Sequence, residues 1–486
     1  MSEVNETSKR FTRRQFVAGA AAASAAAVLA ACGSDATTAT TAPTAASAAT
    51  KAPAGTTAPA PTIVSSGSGG ITPAAMATTA PMGTTAPMAA VTSGGKAPMG
   101  SINYWHHFTS DTEMKGLERI TKTFQTQYPA VMVTQENIPN ASYIQKITAA
   151  VQAKSLPDTM MVAAERVNDM MALGALKDLT DRVNSTGLKA QFPDNRWSVG
   201  TVNGKIYGVP GFMFVNWYYY RPDFFQEAGI ASPPATWAEM SDAAAKLTDA
   251  GKNRFGFGMR GGDGGEGFVL QVMRAFGSPL VDDKGKPAID TAKATEGIKL
   301  YTEIFTKLKA APPSAPNDSY AQIMTAFKTG QTAMVMHHTG SLKEVRDALG
   351  DKFKTAPYPA GPAALISDVT PLYNGLNNAI PADKLDAGWA WITQWGTVDA
   401  EIALLEETGY FPANPAAAMD KRLTGDPIYA AATTALEKGT IAPQFVGNAG
   451  WQKQTVLPAF QKVLLGQSTP AQCVDEIAAG LKKATS

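Results

Sequence analysis

Ser101-Ile102-Asn103-Tyr104-Trp105, and the sixty residues that follow it, decide the fold class. The quoted run is short and rich in β-formers. After it, Met114, Leu117, Ile120, Thr121 and Phe124 recur at helical spacing, with Asp111 near the start and Tyr128-Pro129 as a stop. Val131-Met132-Val133-Thr134 reads as a second strand. A second amphipathic helix is expected over about 142–154, with Tyr143, Ile144, Ile147 and Val151 on one face. Pro157-Asp158 then leads into Thr159-Met160-Met161-Val162, an apolar strand of the kind buried in parallel sheets. Strand, helix, strand, helix, strand is the signature of an α/β lobe with right-handed crossovers.

Upstream the chain is a different material. Thr12-Arg13-Arg14-Gln15-Phe16-Val17 carries a twin arginine, followed by an alanine-rich run from Val17 to Ala31. That run is too short for a permanent membrane span and reads as a signal peptide. It ends in Leu29-Ala30-Ala31-Cys32, which resembles a bacterial lipoprotein box with Cys32 as the lipidated residue. The twin arginine resembles the signal for export of folded proteins. Residues 33–100 are nearly all Ala, Thr, Pro, Gly, Ser and Met, and Thr-Thr-Ala-Pro recurs from Thr40, Thr56, Thr78 and Thr84. Such a segment buries too little apolar surface to offset its ordering entropy and reads as a disordered tether of about 45 Å root-mean-square span. The expected location is therefore the outer face of the cell membrane, with the protein anchored there through Cys32.

Composition narrows the function. The 486 residues carry 42 basic and 41 acidic side chains. Residues 1–31 hold four of the basic and two of the acidic ones, so the remainder has 38 against 39, a formal charge of −1. That near balance gives no electrostatic footprint for nucleic acid. With Cys32 committed to lipid, Cys473 has no partner for an intramolecular disulfide. No G-x-S-x-G, H-E-x-x-H or P-loop pattern occurs, so the reading is not an enzyme and carries no cofactor or metal.

From Gly204 onward a run of motifs carries a family resemblance. They are Gly204-Lys205-Ile206-Tyr207-Gly208-Val209-Pro210, Trp217-Tyr218-Tyr219-Tyr220-Arg221-Pro222-Asp223-Phe224-Phe225, Glu227-Ala228-Gly229-Ile230, and Pro233-Pro234-Ala235-Thr236-Trp237-Ala238-Glu239-Met240. Thr236 and Glu239 also have the spacing of a capping box. Further matches lie in 327–336, 387–393, 408–414 and 456–470. In this order they resemble the extracellular solute-binding proteins of ABC importers, of the maltose-binding type. The resemblance implies a two-lobed periplasmic-binding-protein-like fold with hinge strands and a central ligand cleft. It places one lobe at 101–212 plus 353–381 and the other at 213–352 plus 382–486, with crossings near Gly211, Phe353 and Pro381. It implies a monomer that captures a sugar or oligosaccharide and delivers it to ABC permease subunits.

Candidate site residues follow. The four histidines form two pairs, His106-His107 and His337-His338, each directly after an expected strand. Strand ends face the cleft in open α/β sheets, and alternation should turn one ring of each pair toward it. The rings suit hydrogen bonds to ligand hydroxyls, a metal site closed by lobe motion, or a structural role satisfied by nearby backbone. Gly256-Phe257-Gly258-Met259-Arg260-Gly261 matches G-x-G-x-x-G, but deep inside a lobe it reads as a turn into a helix near Glu266 rather than a dinucleotide site. Arg260 and Asp263 could still reach the cleft, and the loop's N–H groups could hold a phosphate, which keeps glycerol phosphate or another anion as a rival ligand. A sugar ring stacks on aromatic faces and shares its hydroxyls with planar polar groups. Trp105, Trp217, Tyr373, Tyr410 and Trp451 are stacking candidates, and Glu165, Asn374 and Asn377 are polar ones. Trp389, Trp391 and Trp395, on an apolar helix, read as core. The rival class is an exported enzyme or a metal or cofactor protein, which folded export would suit.

Overall fold

Strand Gly100–His106 is the organiser of the first sheet in the structure, a computed structural model that describes residues 97–282 and 285–486. Export signal, Cys32 and nearly all of the tether lie outside the described residues. The strand pairs in parallel with Val131–Asn137 on one side and Thr159–Val162 on the other. Helix Asp111–Gln127 joins the first two. Ser110 starts it by accepting from the Glu113 N–H, and Glu113 returns the contact to the cap in a capping box. Helix Tyr143–Ala153 leads into Thr159–Val162, all four of whose residues are buried. All five expected elements form.

One long strand joins the lobes. Val209–Tyr220 pairs antiparallel with Val369–Leu376 through its first half, Val209 to Val215. Its second half, Asn216 to Tyr220, pairs with Thr332–His338 and Lys354–Ala356. Phe255–Gly258 completes the second sheet in parallel with Thr332–His338. The chain thus changes lobe within an unbroken strand, between Val215 and Asn216, a few residues past the expected crossing near Gly211. The second expected crossing, near Phe353, moves as well. Lys354–Ala356 still belongs to the second sheet, so the return runs through 357–368.

The expected limits differ most after Pro381. Helix Leu385–Gln394 packs on Gly100–His106 and Val369–Leu376, and helix Val398–Glu407 packs on Asp111–Gln127. The cause is aromatic. Trp391 meets the Tyr104 ring edge-on at 5.2 Å and Phe124 at 5.1 Å, and Trp389, Trp391 and Trp395 are all buried there. From Phe445 onward the chain joins the second core, with Trp451, Phe460 and Ile477 packed among Trp237, Phe268 and Tyr301. Cys473 is a free, buried thiol of that core. No helix among the described residues is long and apolar enough to cross a membrane.

Candidate functional site

The strand ends of both sheets converge on a cavity of about 610 Å3. Its walls come from both lobes and from the joining segments, which contribute Phe214, Asp368 and Thr370.

The first lobe supplies His107, Glu113, Glu165 and Arg166. His107 follows the last residue of its strand, and its ring meets Tyr143 edge-on at 5.7 Å. Burial, then the nearby Arg166 cation, hold its pKa well below the ordinary imidazole value, so the ring is neutral. Its Nδ1 is buried without a hydrogen-bond partner. Arg166 is 2% exposed. Its Nε pairs with Glu165 at 3.3 Å, one Nη donates to the Asn140 carbonyl at 3.2 Å, and the other Nη is buried with no partner. Glu113 accepts from the Tyr410 hydroxyl at 2.6 Å.

The second lobe supplies Arg260, Asp263, Glu266, Tyr320, His337, His338 and Lys453. Lys453 bridges Asp263 at 2.5 Å and Glu266 at 2.6 Å. Arg260 donates through Nε to the Asp263 carbonyl at 2.6 Å, and no carboxylate lies within ion-pair distance of it among the described residues. His337 Nδ1 lies 2.8 Å from the Ser341 hydroxyl. His338 Nδ1 accepts the Gly340 N–H at 3.1 Å, and its ring stacks on Tyr410 at 5.5 Å. Burial, then the Arg260 charge, lower its pKa to about 3. Asp368 pairs with Arg274 and accepts from the Thr440 hydroxyl at 2.8 Å, so every carboxylate on the walls is engaged, while two guanidinium groups keep donors to spare and the imidazoles are neutral. Such walls offer bidentate donors and acceptors beside the Tyr410, Tyr320 and Phe214 rings.

Of the residues singled out in the sequence, the fold brings His107, Glu165, Arg260, Asp263, His337, His338 and Tyr410 to this cavity. The others are corrected. His106 is 1% exposed and turned inward, where its Nδ1 accepts the Phe108 N–H at 3.3 Å. Trp217 is wholly buried between Tyr219 and Tyr429. Tyr373 packs against Gly200 and Gly208, where a Cβ would meet its ring, and donates to the Arg196 carbonyl at 2.8 Å. Asn374 accepts from the Tyr104 hydroxyl at 2.7 Å beneath the sheet. Trp451 points away from the cavity and donates to the Ile477 carbonyl at 3.1 Å. Trp105 carries the Lys146 ammonium over its ring at 4.6 Å, outside the cavity. Asn377 accepts the Ala379 N–H at 2.9 Å, also outside it.

The glycine-rich loop is a packing device. The Gly261 N–H bonds the Ala315 carbonyl at 2.9 Å, Gly262 bonds Asp318 at 2.8 Å, and Gly264 bonds the Glu266 carboxylate at 3.0 Å. The N–H groups of Gly261, Gly262 and Gly264 are spent on this packing and are not free to hold a phosphate. No group of three or more His, Cys, Asp or Glu side chains that could hold a metal ion occurs among the described residues.

Sequence reasoning missed Glu113, Arg166, Glu266, Tyr320 and Lys453. Glu113 and Arg166 each lie close to a flagged residue, and Glu113 reads as a helix cap. Lys453 lies two residues after Trp451, and only folding turns it to the cleft while Trp451 turns away.

Among known proteins, residues 119–431 match the model of the family described as bacterial extracellular solute-binding protein. A binding protein of Brucella abortus is 23% identical over 371 residues, covering 74% of this chain and 88% of that protein. The mannitol-binding protein of Pseudomonas aeruginosa is 23% identical, over 59% of this chain and 62% of its own length. In three dimensions the chain is similar to maltose-bound MalE3 of T. maritima, with a TM-score of 0.73 at 21% identity, covering 79% of this chain and 99% of that one. UgpB of Mycobacterium tuberculosis, in complex with glycerophosphocholine, superposes at a TM-score of 0.70 and 19% identity, over 79% and 98%. The fold is that of binding proteins, and with well over half its length matched, the chain belongs to the bacterial extracellular solute-binding protein family.

Proposed function

We propose that this protein is the solute receptor of an ABC importer and that its ligand is a sugar or oligosaccharide. The observation that carries the reading is the cleft itself, built from both lobes and holding about 610 Å3. That size falls within the range of small-molecule sites. Neutral imidazoles, engaged carboxylates and guanidinium edges surround aromatic rings, which is the chemistry hydroxyl-rich rings require. Capture involves no bond making. A ligand that touches both lobes favours the closed form by its differential affinity, and the closed form docks on the permease. Export as a folded protein, anchoring through Cys32 and the tether's reach belong to the same proposal and rest on the sequence alone.

A second reading has one observation in its favour. The unpartnered Arg166 Nη and the unpaired Arg260 suit an anionic group. Against it, five acidic side chains line the cavity beside three basic ones. A thermal-shift screen of the purified protein against mono-, di- and trisaccharides, polyols and polyol phosphates decides between them. A true ligand at one hundred times its Kd adds about 2.7 kcal/mol. Stabilisation by neutral sugars alone supports the first reading. Stabilisation by phosphates alone, weakening steeply with salt, replaces it with the second. Release of a chemically altered sugar would overturn both.

A further inference from the structure

The lobes also meet beside the cleft. Asp169 lies on helix Val167–Ala172, whose Val167 and Met170 are fixed in a first-lobe core. The residue is 9% exposed, and its carboxylate has no Lys or Arg ion-pair partner among the described residues. Instead it crosses to the other lobe. One oxygen accepts the Gly447 N–H and the second accepts the Ala449 N–H at 3.1 Å. These two N–H groups open the helical run that continues to Leu464 and whose Trp451 and Phe460 belong to the second core. Gly447 has a φ of +88°, a conformation that favours glycine, so the chain enters this run through a turn few other residues adopt.

An acid of one lobe therefore caps a helix of the other. Charge-assisted bonds to free N–H groups at a helix start are the strong kind. They exist only while the lobes are together. Asp169 is absent from the walls of the 610 Å3 cavity and lines a neighbouring one of about 590 Å3. We propose that Asp169 is a positioning residue, an interlobe latch that sets how much of the ligand-free protein is closed. Affinity then depends on it, because apparent Kd scales inversely with the fraction of binding-competent protein. The affinity consequence rests on the receptor reading above; the latch itself does not.

The test measures lobe separation without ligand. Spin labels at Ala153→Cys and Gln467→Cys, exposed sites in different lobes, are introduced into the full chain in a Cys32→Ser background. Pulsed electron paramagnetic resonance then compares Asp169, Asp169→Ala and Asp169→Asn. Asn preserves the side chain's volume if Ala impairs folding, yet its amide donor confronts one of the two N–H groups. A longer or broader distance distribution in the variants, with a cooperative melting transition showing that they remain folded, is the expected result. Identical distributions overturn the proposal. With a ligand in hand, the variants should bind about tenfold more weakly, mainly through faster dissociation. If no sugar binds the unaltered protein, the receptor reading fails while the distance measurement still judges the latch.

Discussion

The two histidine pairs carry the same dipeptide at the ends of strands in opposite lobes, yet they are used differently. In the first lobe the strand ends at His106 with no helical turn directly after the pair, and the pair alternates. His106 turns into the core beside Tyr104, and His107 turns to the cleft. In the second lobe the strand ends at His338 and the chain bends at once into Thr339–Ser341. Both rings then line the cleft, with centroids 4.0 Å apart. Tyr410 closes over the bend, and a Cβ on Gly340 would stand 2.2 Å from its ring. Alternation across a strand is therefore a weaker guide where a helical turn begins directly after the pair.

That contrast can be broken from beneath. Trp217 sits opposite His337 in the sheet register and is wholly buried. Trp217→Ala should cost about 3–5 kcal/mol of stability, measured by denaturant unfolding. A loss below about 1 kcal/mol would mean that the second pair stands on no such support.

Acid should sharpen it. His106 is lowered to about 4, His338 to about 3, and His337 well below the ordinary value, each chiefly by burial. Above about pH 6.5 folded and unfolded chains are both neutral at these sites, and stability is full. As the pH falls below 6.5 the unfolded chain takes up protons first, and stability is lost until the folded values are reached. Each ring contributes a slope of about 1.4 kcal/mol per pH unit in that window. Replacing His337 and His338 by Gln should flatten the melting-temperature profile between pH 6.5 and 5 about twice as much as His106→Gln. Equal flattening would show that one ring of the second pair is not buried neutral.

A smaller effect separates the pairs by binding. His338→Ala should weaken ligand binding about tenfold in calorimetry, whereas His106→Ala should alter stability and leave affinity within about twofold. The reverse pattern would exchange their roles. Smallest of all, Lys146→Ala removes a half-exposed cation from Trp105, at a cost of about 0.5–1 kcal/mol, with affinity unchanged. An affinity loss there would extend the site beyond the described cavity.

Much of the fold was legible because local signals agreed with it. Periodicity marked the helices at 111–127 and 143–153, the all-apolar run marked Thr159–Val162, and the Thr236/Glu239 box forms as its spacing requires. The cleft was half legible. Residues at or just past strand ends, such as His107, Glu165 and His338, were found by position. Of the lone aromatics only Tyr410 was, since Trp217, Tyr373 and Trp451 have the composition of stacking platforms but are claimed by cores.

What the amino-acid sequence determined alone is the order and type of its elements, the α/β class and the family resemblance. Those depend on spacing and on interactions within a few residues. Which lobe claims residues 385–407, which ring of each pair meets the cleft, and that Asp169 reaches Gly447 were decided only by tertiary structure. These contacts join residues far apart in the chain, and packing selects among partners that local chemistry leaves equivalent.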